Sequence, residues 1–442
     1  MFIWLSVYFI GLLLIGALAG RKLQSFENYF FAGRKTGVFL LFITITASWL
    51  GAAATLATME ASFRKGFWAA WLIGIPTVST LLLFVLLAAR IRSANFVSLP
   101  GFLYDHYGKT FKSLSSVLVF FYMVVLAASQ LVAWGQFVSG FFGLGYQATV
   151  ILGAIIVLAY SATGGFRSVL ITDLMQFFLL SAALIILFFC LSPSMPQTVG
   201  FDPAQTQDLP SHLLITLSFI LAWTVSPIIW QRIAAARSTA VARKSLLISA
   251  VVFSLIYFLV MQIGIKFRFY LSDFGSFSAF LQNHLPYWCL VPVFIGIAAA
   301  IMSTVDTALN IAALTLVSDI GKNRENRAVF RARLATLLSG ALAMLVAFRF
   351  DSIISTLGLA SEIMAEGLFV PVLAALIWKR HAPLPGLLSL CAGGGFALLS
   401  FAKALGLPLP VPDWPYSMPI GVGLSLGAFI LGCALEKGRK QS

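Results

Sequence analysis

Residues 298–310 read Ala-Ala-Ala-Ile-Met-Ser-Thr-Val-Asp-Thr-Ala-Leu-Asn. Wound as a helix at about 100° per residue, Ser303, Thr304, Asp306, Thr307 and Asn310 share one arc, while Ile301, Met302, Val305 and Leu309 lie off it. Such an oxygen-rich face suits a hard monovalent cation, because hydroxyls plus one carboxylate can replace its water without excess charge. A carboxylate deep in an apolar stretch costs several kcal/mol unless it is paired, protonated or facing a cavity. The competing chemistry is helix-to-helix hydrogen bonding by the Ser and Thr hydroxyls, which leaves Asp306 unexplained.

Two further acidic groups interrupt apolar runs. Thr172-Asp173-Leu174-Met175-Gln176 places an acid near the start of its run, where it could also be an interfacial mate for Arg167. Glu362 and Glu366 stand one helical turn apart on a common face. This pair could bind a proton, an ammonium group or an ion, or pair with a basic residue. Glu60 reads as interfacial. His106, His212, His284 and His381 are scattered, and no His-Glu-x-x-His, phosphate loop or nucleophile triad is present, so an enzyme is not expected. Cys190, Cys289, Cys391 and Cys433 have no paired spacing, suggesting neither a disulfide framework nor a metal site.

The elements that position these groups must be membrane helices. Of the 442 residues 60% are hydrophobic and only 10% charged, with a mean hydropathy of +0.97. Runs of about 20 apolar residues, enough to cross a roughly 30 Å hydrocarbon core, recur along the chain and predict about thirteen spans between residues 2 and 436. Residues 2–20 are the first span rather than a signal peptide, because Arg21 and Lys22 follow the apolar run instead of preceding it. The net charge of +14 is explained by sidedness. All but six of the 29 basic residues fall on one side if the N-terminus is outside, the six being Arg64, Lys65, Lys266, Arg268, Arg349 and Lys403. The positive-inside rule then places the C-terminus in the cytoplasm and removes the reason to invoke nucleic acid. The two longer outer connections, around 193–210 and 268–286, carry Asp202, Asp208 and Asp273, and Ser192 to Pro196 read as the start of a plain loop.

The order of spans divides the single membrane domain into a first helix with its basic loop (1–37), two five-helix blocks (38–192 and 211–378) and two C-terminal helices (383–436). Each block has an odd number of spans, so the two would be inverted repeats, as in many transporters that bind solute at broken helices. Each leading span carries an interruption: Trp49-Leu50-Gly51-Ala52 in one, Trp223-Thr224-Val225-Ser226-Pro227 in the other. Glycine permits unusual backbone angles and proline deletes an internal hydrogen bond.

Four motifs give these features a common source. Asn28-Tyr29-Phe30-Phe31-Ala32-Gly33-Arg34, Tyr160-Ser161-Ala162-Thr163-Gly164-Gly165 followed by Thr172-Asp173-x-x-Gln176, Pro227-x-x-x-x-Arg232-x-x-Ala235-Ala236-Arg237-Ser238, and Ala299-Ala300-Ile301-Met302-Ser303-Thr304-x-Asp306 occur in order over residues 28–320. The chain resembles the sodium/solute symporter family, a bacterial member with a LeuT-like core. The resemblance implies an all-α polytopic protein with an inverted five-plus-five core, one extra N-terminal and two extra C-terminal helices. It implies sodium held by Ala47, Leu50, Ala300, Ser303 and Thr304, and a second ion site at Asp173, Asp306 and Thr307. Solute would lie near Gly51, Gln130, Trp134, Trp223, Ser226 and Glu362. The expected activity is sodium-coupled symport of a small organic solute by alternating access, with no cofactor beyond the coupling ion. Proton coupling and a transporter-derived sensor are the alternatives. No basic residue is expected deep in a core span, which favours a neutral, zwitterionic or cationic solute. The expected setting is a bacterial inner membrane, with a monomer sufficient for transport and the bilayer as its surroundings.

Overall fold

Hydrocarbon offers no hydrogen bonds, so each apolar run satisfies its own peptide groups as a helix. A computed structural model describes residues 2–20, 26–94, 96–191, 209–271, 273–320, 328–378 and 381–441. Arg21, Lys22, the connection bearing Asp202 and Asp208, Lys322, Arg324, Arg327, Lys379 and Arg380 lie outside the described residues.

The helices are α1 (Phe2–Gly20), α2 (Phe26–Phe31), α3 (Val38–Trp49), α4 (Thr58–Lys65), α5 (Gly74–Ser93), α6 (Leu99–Phe142), α7 (Tyr146–Cys190), α8 (Leu209–Thr224) and α9 (Pro227–Ala235). They continue as α10 (Thr239–Phe267), α11 (Phe277–His284), α12 (Tyr287–Thr315), α13 (Ala328–Ala347), α14 (Ile353–Met364), α15 (Val370–Ile377), α16 (Pro383–Ala404) and α17 (Ser417–Gln441). Nine helices among the described residues are long and apolar enough to cross a membrane, and the bent pair α8 and α9 makes a tenth. Three shorter apolar helices, Ile3–Ala19, Val38–Trp49 and Tyr146–Ala162, fall where the sequence places further spans.

Local chemistry sets the ends of these helices. Ser98 and Ser238 cap α6 and α10 by accepting hydrogen bonds from the backbone N–H groups of Gly101 and Val241, at 3.0 and 3.2 Å. Within α7 the chain turns sharply at Gly165, whose φ of 57° is left-handed and where a side chain would meet the Tyr29 carbonyl at 2.8 Å. The turn separates the two spans expected from the sequence and seats α2 against α7. The connection around 268–286 contains α11, packed through Phe277 and Phe280 on Phe267 of α10.

The bundle is centred on α12 and the middle of α6, both buried almost all round. Gly296 lets α12 approach α7 so closely that a β-carbon there would meet the Leu179 carbonyl at 2.8 Å. At one end of the bundle the segment before α3 joins the segment after α9. Thr36 N–H donates to Ala235 O and Arg237 N–H donates to Thr36 O, both at 3.1 Å, while Arg92 Nε donates to Ala236 O at 3.0 Å.

Candidate functional site

Both expected helix breaks are present. α3 stops at Trp49, residues 50–52 leave the helix, and a π-helical turn, Ala53–Ala57, leads into α4. α8 stops at Thr224, Ser226 is extended, and Pro227 opens α9 at a bend of 41°. A break exposes peptide groups that need partners. The N–H of Ala52 donates to Gln130 Oε1 of α6 at 2.8 Å, and the indole of Trp230 donates to Thr224 O at 3.2 Å.

The oxygen-rich arc of α12 faces the first break. Ser303 Oγ lies 3.0 Å from Ala47 O and 3.2 Å from Ala300 O, and Thr304 Oγ1 lies 3.3 Å from Ser48 O. Both side chains are buried. Four of the five expected sodium ligands thus adjoin one another, with Leu50 closing the last turn of α3 by donating to Thr46 O and Ala47 O. Ser48 O is an addition to the expected set.

Beside this cluster, between the two breaks, lies a partly open cavity. Trp49, Gly51 and Thr304 line it together with Tyr122, Gln130 and Trp223, and among the described residues no charged side chain does. The Trp49 and Trp223 rings are 5.5 Å apart, and Trp223 stacks on Phe219 at 4.7 Å.

Three expected cavity residues lie elsewhere. Trp134 is on the right helix but the wrong face: its indole donates to Thr149 O at 2.9 Å and its ring packs against Phe9. Ser226 lies behind Tyr122 rather than on the cavity wall. Glu362 points away, accepting a hydrogen bond from Ser417 at the start of α17, and Glu366 abuts Gly421 of α17. Leu357 is the residue of α14 that reaches the cavity. Tyr122 and Leu126 were missed, although they precede Gln130 by eight and four residues on one helical face, a spacing that would have found them.

The acids behind the arc revise the charge map. Arg232, expected on a basic connection, is fully buried and forms an ion pair with Asp173 at 3.4 Å. It also donates to Thr307 Oγ1 at 3.0 Å, to Thr44 O at 3.3 Å and to Ser48 Oγ, while Thr44 donates to Asp173. A basic residue therefore does lie deep in the core, and Asp173 is its mate rather than that of Arg167. Asp306 turns the other way, accepting from Ser161 at 2.6 Å and Thr172 at 3.4 Å. Of the expected second-site residues, Asp173 and Thr307 meet around a guanidinium, and Asp306 sits against α7.

A helical membrane bundle whose two broken helices meet at a buried hydroxyl arc and a shared cavity has the architecture of a secondary transporter. The model of the sodium:solute symporter family matches residues 29–393, and the chain belongs to that family. It is 24% identical over 463 residues to the osmoregulated proline transporter OpuE of Bacillus subtilis, covering 96% of this chain and 94% of the relative. It is 25% identical over 448 residues to high-affinity choline transporter 1 of Drosophila melanogaster, covering 91% and 72%. Its fold matches that of a Na⁺-coupled sialic acid symporter solved in a substrate-bound outward-open state, with a TM-score of 0.77, 16% identity and coverage of 98% and 97%. The protein is a multi-pass, LeuT-fold, sodium-coupled symporter of a small solute, not an enzyme.

Proposed function

We propose that this transporter binds sodium where α12 meets the break of α3 and carries a small solute bearing an alkylated ammonium group. The observation that carries this reading is the convergence of Ser303, Thr304 and Ala300 on Ala47 and Ser48, beside a cavity with aromatic walls and no charged lining. Ala47, Leu50, Ala300, Ser303 and Thr304 offer neutral oxygens, which suit a monovalent ion. Gly51 and Thr304 border the solute cavity, so an ion that orders residues 47–50 also shapes the solute's wall. Each ligand then raises the other's affinity, which is the thermodynamic content of coupling.

The solute follows from the wall. Trp49, Trp223 and Tyr122 present electron-rich faces, which attract an alkylated ammonium without a carboxylate partner. Proline and choline, named for the two relatives above, share that group. A solute carboxylate would be received by peptide N–H groups at the breaks.

Arg232 supplies the positive charge at Asp173, leaving the Ser303 and Thr304 site as the coupling site. The two inverted repeats are 38–192 and 211–378, and a monomer holds every residue of the site. The outer end of α7 and the start of α12 face outside, the C-terminus faces the cytoplasm, and the membrane is the bacterial inner membrane.

The test is uptake of labelled proline, choline and glycine betaine into proteoliposomes under an inward sodium gradient. Sodium-dependent uptake of at least one of them, reduced in Ser303→Ala and Thr304→Ala, is the expected result. Uptake indifferent to sodium but driven by a pH gradient would replace sodium with the proton, and full sodium dependence in both variants would overturn the site.

A further inference from the structure

Cys190 is the last residue of α7 and Cys289 is the third residue of α12. Nothing in their sequence spacing connects them, yet their Sγ atoms lie 2.9 Å apart. Their proximity follows from how the two helices pack. Leu179, Ala183, Leu187 and Cys190 recur at helical spacing along one stripe of α7. On α12 the facing stripe is Cys289, Val293 and Gly296, and the bare α-carbon of Gly296 rests on the Leu179 carbonyl and Ala183. The close approach two turns below leaves the two thiols facing each other at the helix ends. Cys289 is buried, and Cys190 is partly exposed. A disulfide needs its sulfurs about 2.05 Å apart, a closure of less than 1 Å from where they stand.

We infer that Cys190 and Cys289 are joined as a disulfide in the mature protein, a covalent link between α7 and the helix that carries Ser303 and Thr304. The inference rests on the orientation proposed above, which turns these helix ends toward the outside, where disulfides form and persist. The oxidant is an oxidised protein of the thiol–disulfide oxidoreductase class. Cys190, as the accessible thiol, attacks that protein's disulfide as a thiolate and forms a mixed disulfide. The Cys289 thiolate then displaces the oxidant's sulfur. One disulfide is made and one is broken, two electrons pass to the oxidant, and the two thiol protons end on its dithiol. Cys391 and Cys433 stay reduced, on the C-terminal helices α16 and α17.

The experiment counts thiols in the full-length protein. Cells are treated with N-ethylmaleimide before lysis, and the protein is then denatured, with and without reduction, alkylated again and analysed by intact mass. The sequence contains four cysteines. Two should be alkylated without reduction and all four after it, and a non-reduced digest should contain the peptide linking 190 to 289. Cys391→Ser should show one free thiol without reduction, whereas Cys190→Ser should show three. A C-terminal green fluorescent protein fusion, measured in parallel, reads orientation by itself. Four free thiols in a strain whose fusion fluoresces would overturn the disulfide and leave the orientation standing. Four free thiols with a dark fusion would overturn both.

Discussion

Gly51 stands where the proposed sodium site and the solute cavity share a wall, and the structure fixes what a single methyl group would do there. A β-carbon at this position would lie 2.5 Å from Thr304 Oγ1 and 2.6 Å from Gln130 Oε1, against an ordinary contact of at least 3.4 Å. In Gly51→Ala one or both groups must therefore retreat by about 1 Å. If Gln130 swings away, the Ala52 N–H loses its 2.8 Å acceptor inside the protein. An orphaned buried donor costs about 1–3 kcal/mol. If Thr304 yields instead, the hydroxyl proposed to hold sodium is displaced. Either way the loss falls on the ion-bound arrangement, and 1–3 kcal/mol corresponds to a roughly 5- to 150-fold weaker apparent affinity for sodium. Sodium activation of solute uptake in proteoliposomes measures it. Gly11→Ala is the control, since a β-carbon at Gly11 meets nothing within 4 Å. A Gly51→Ala protein whose half-saturating sodium stays within about twofold of the Gly11→Ala value would refute the reasoning.

Other outcomes follow from the same geometry. Arg232→Met leaves Asp173 buried without its cation and should destabilise the protein by about 3–5 kcal/mol, seen as a lower unfolding temperature in detergent. Adding Asp173→Leu should recover most of that loss, and a double variant no more stable than the single one would count against the pair. Trp223→Ala should raise the KM for solute by roughly 5- to 30-fold, the equivalent of about 1–2 kcal/mol of cation attraction, with much less change in sodium activation. Glu362→Gln should leave the solute KM within about twofold of wild type, because that carboxyl faces Ser417 and not the cavity.

Hydropathy carried the membrane architecture, and both helix breaks were legible because glycine and proline act locally on the backbone. Ser303 and Thr304 were legible as well, since a helix turns polar oxygen toward the core for few reasons. Trp134 and Glu362 show the limit of that reasoning. Helical periodicity says which residues share an arc but not which arc faces the cavity, and α6 and α14 are covered on nearly every side by other helices. Arg232 was misread for a different reason. The charge count groups it with the basic residues outside the spans, whereas α9 continues fully buried to Ala235, and the sequence-distant Asp173, Ser48 and Thr307 make a charge tolerable there. The meeting of Cys190 with Cys289 depends on the packing of two helices and leaves no trace in local spacing.

The seam that joins the start of α3 to the end of α9 is made by peptide groups, with Arg92 adding one more bond to a carbonyl. A seam of that kind is nearly blind to mutation, because almost any residue other than proline brings the same N–H and C=O. Side chains around it can drift between lineages without loosening the tie between the two broken helices. Descendants can therefore remodel the solute pocket while inheriting the same mechanical frame, and the low identity of this chain to relatives of the same fold is what such a frame permits.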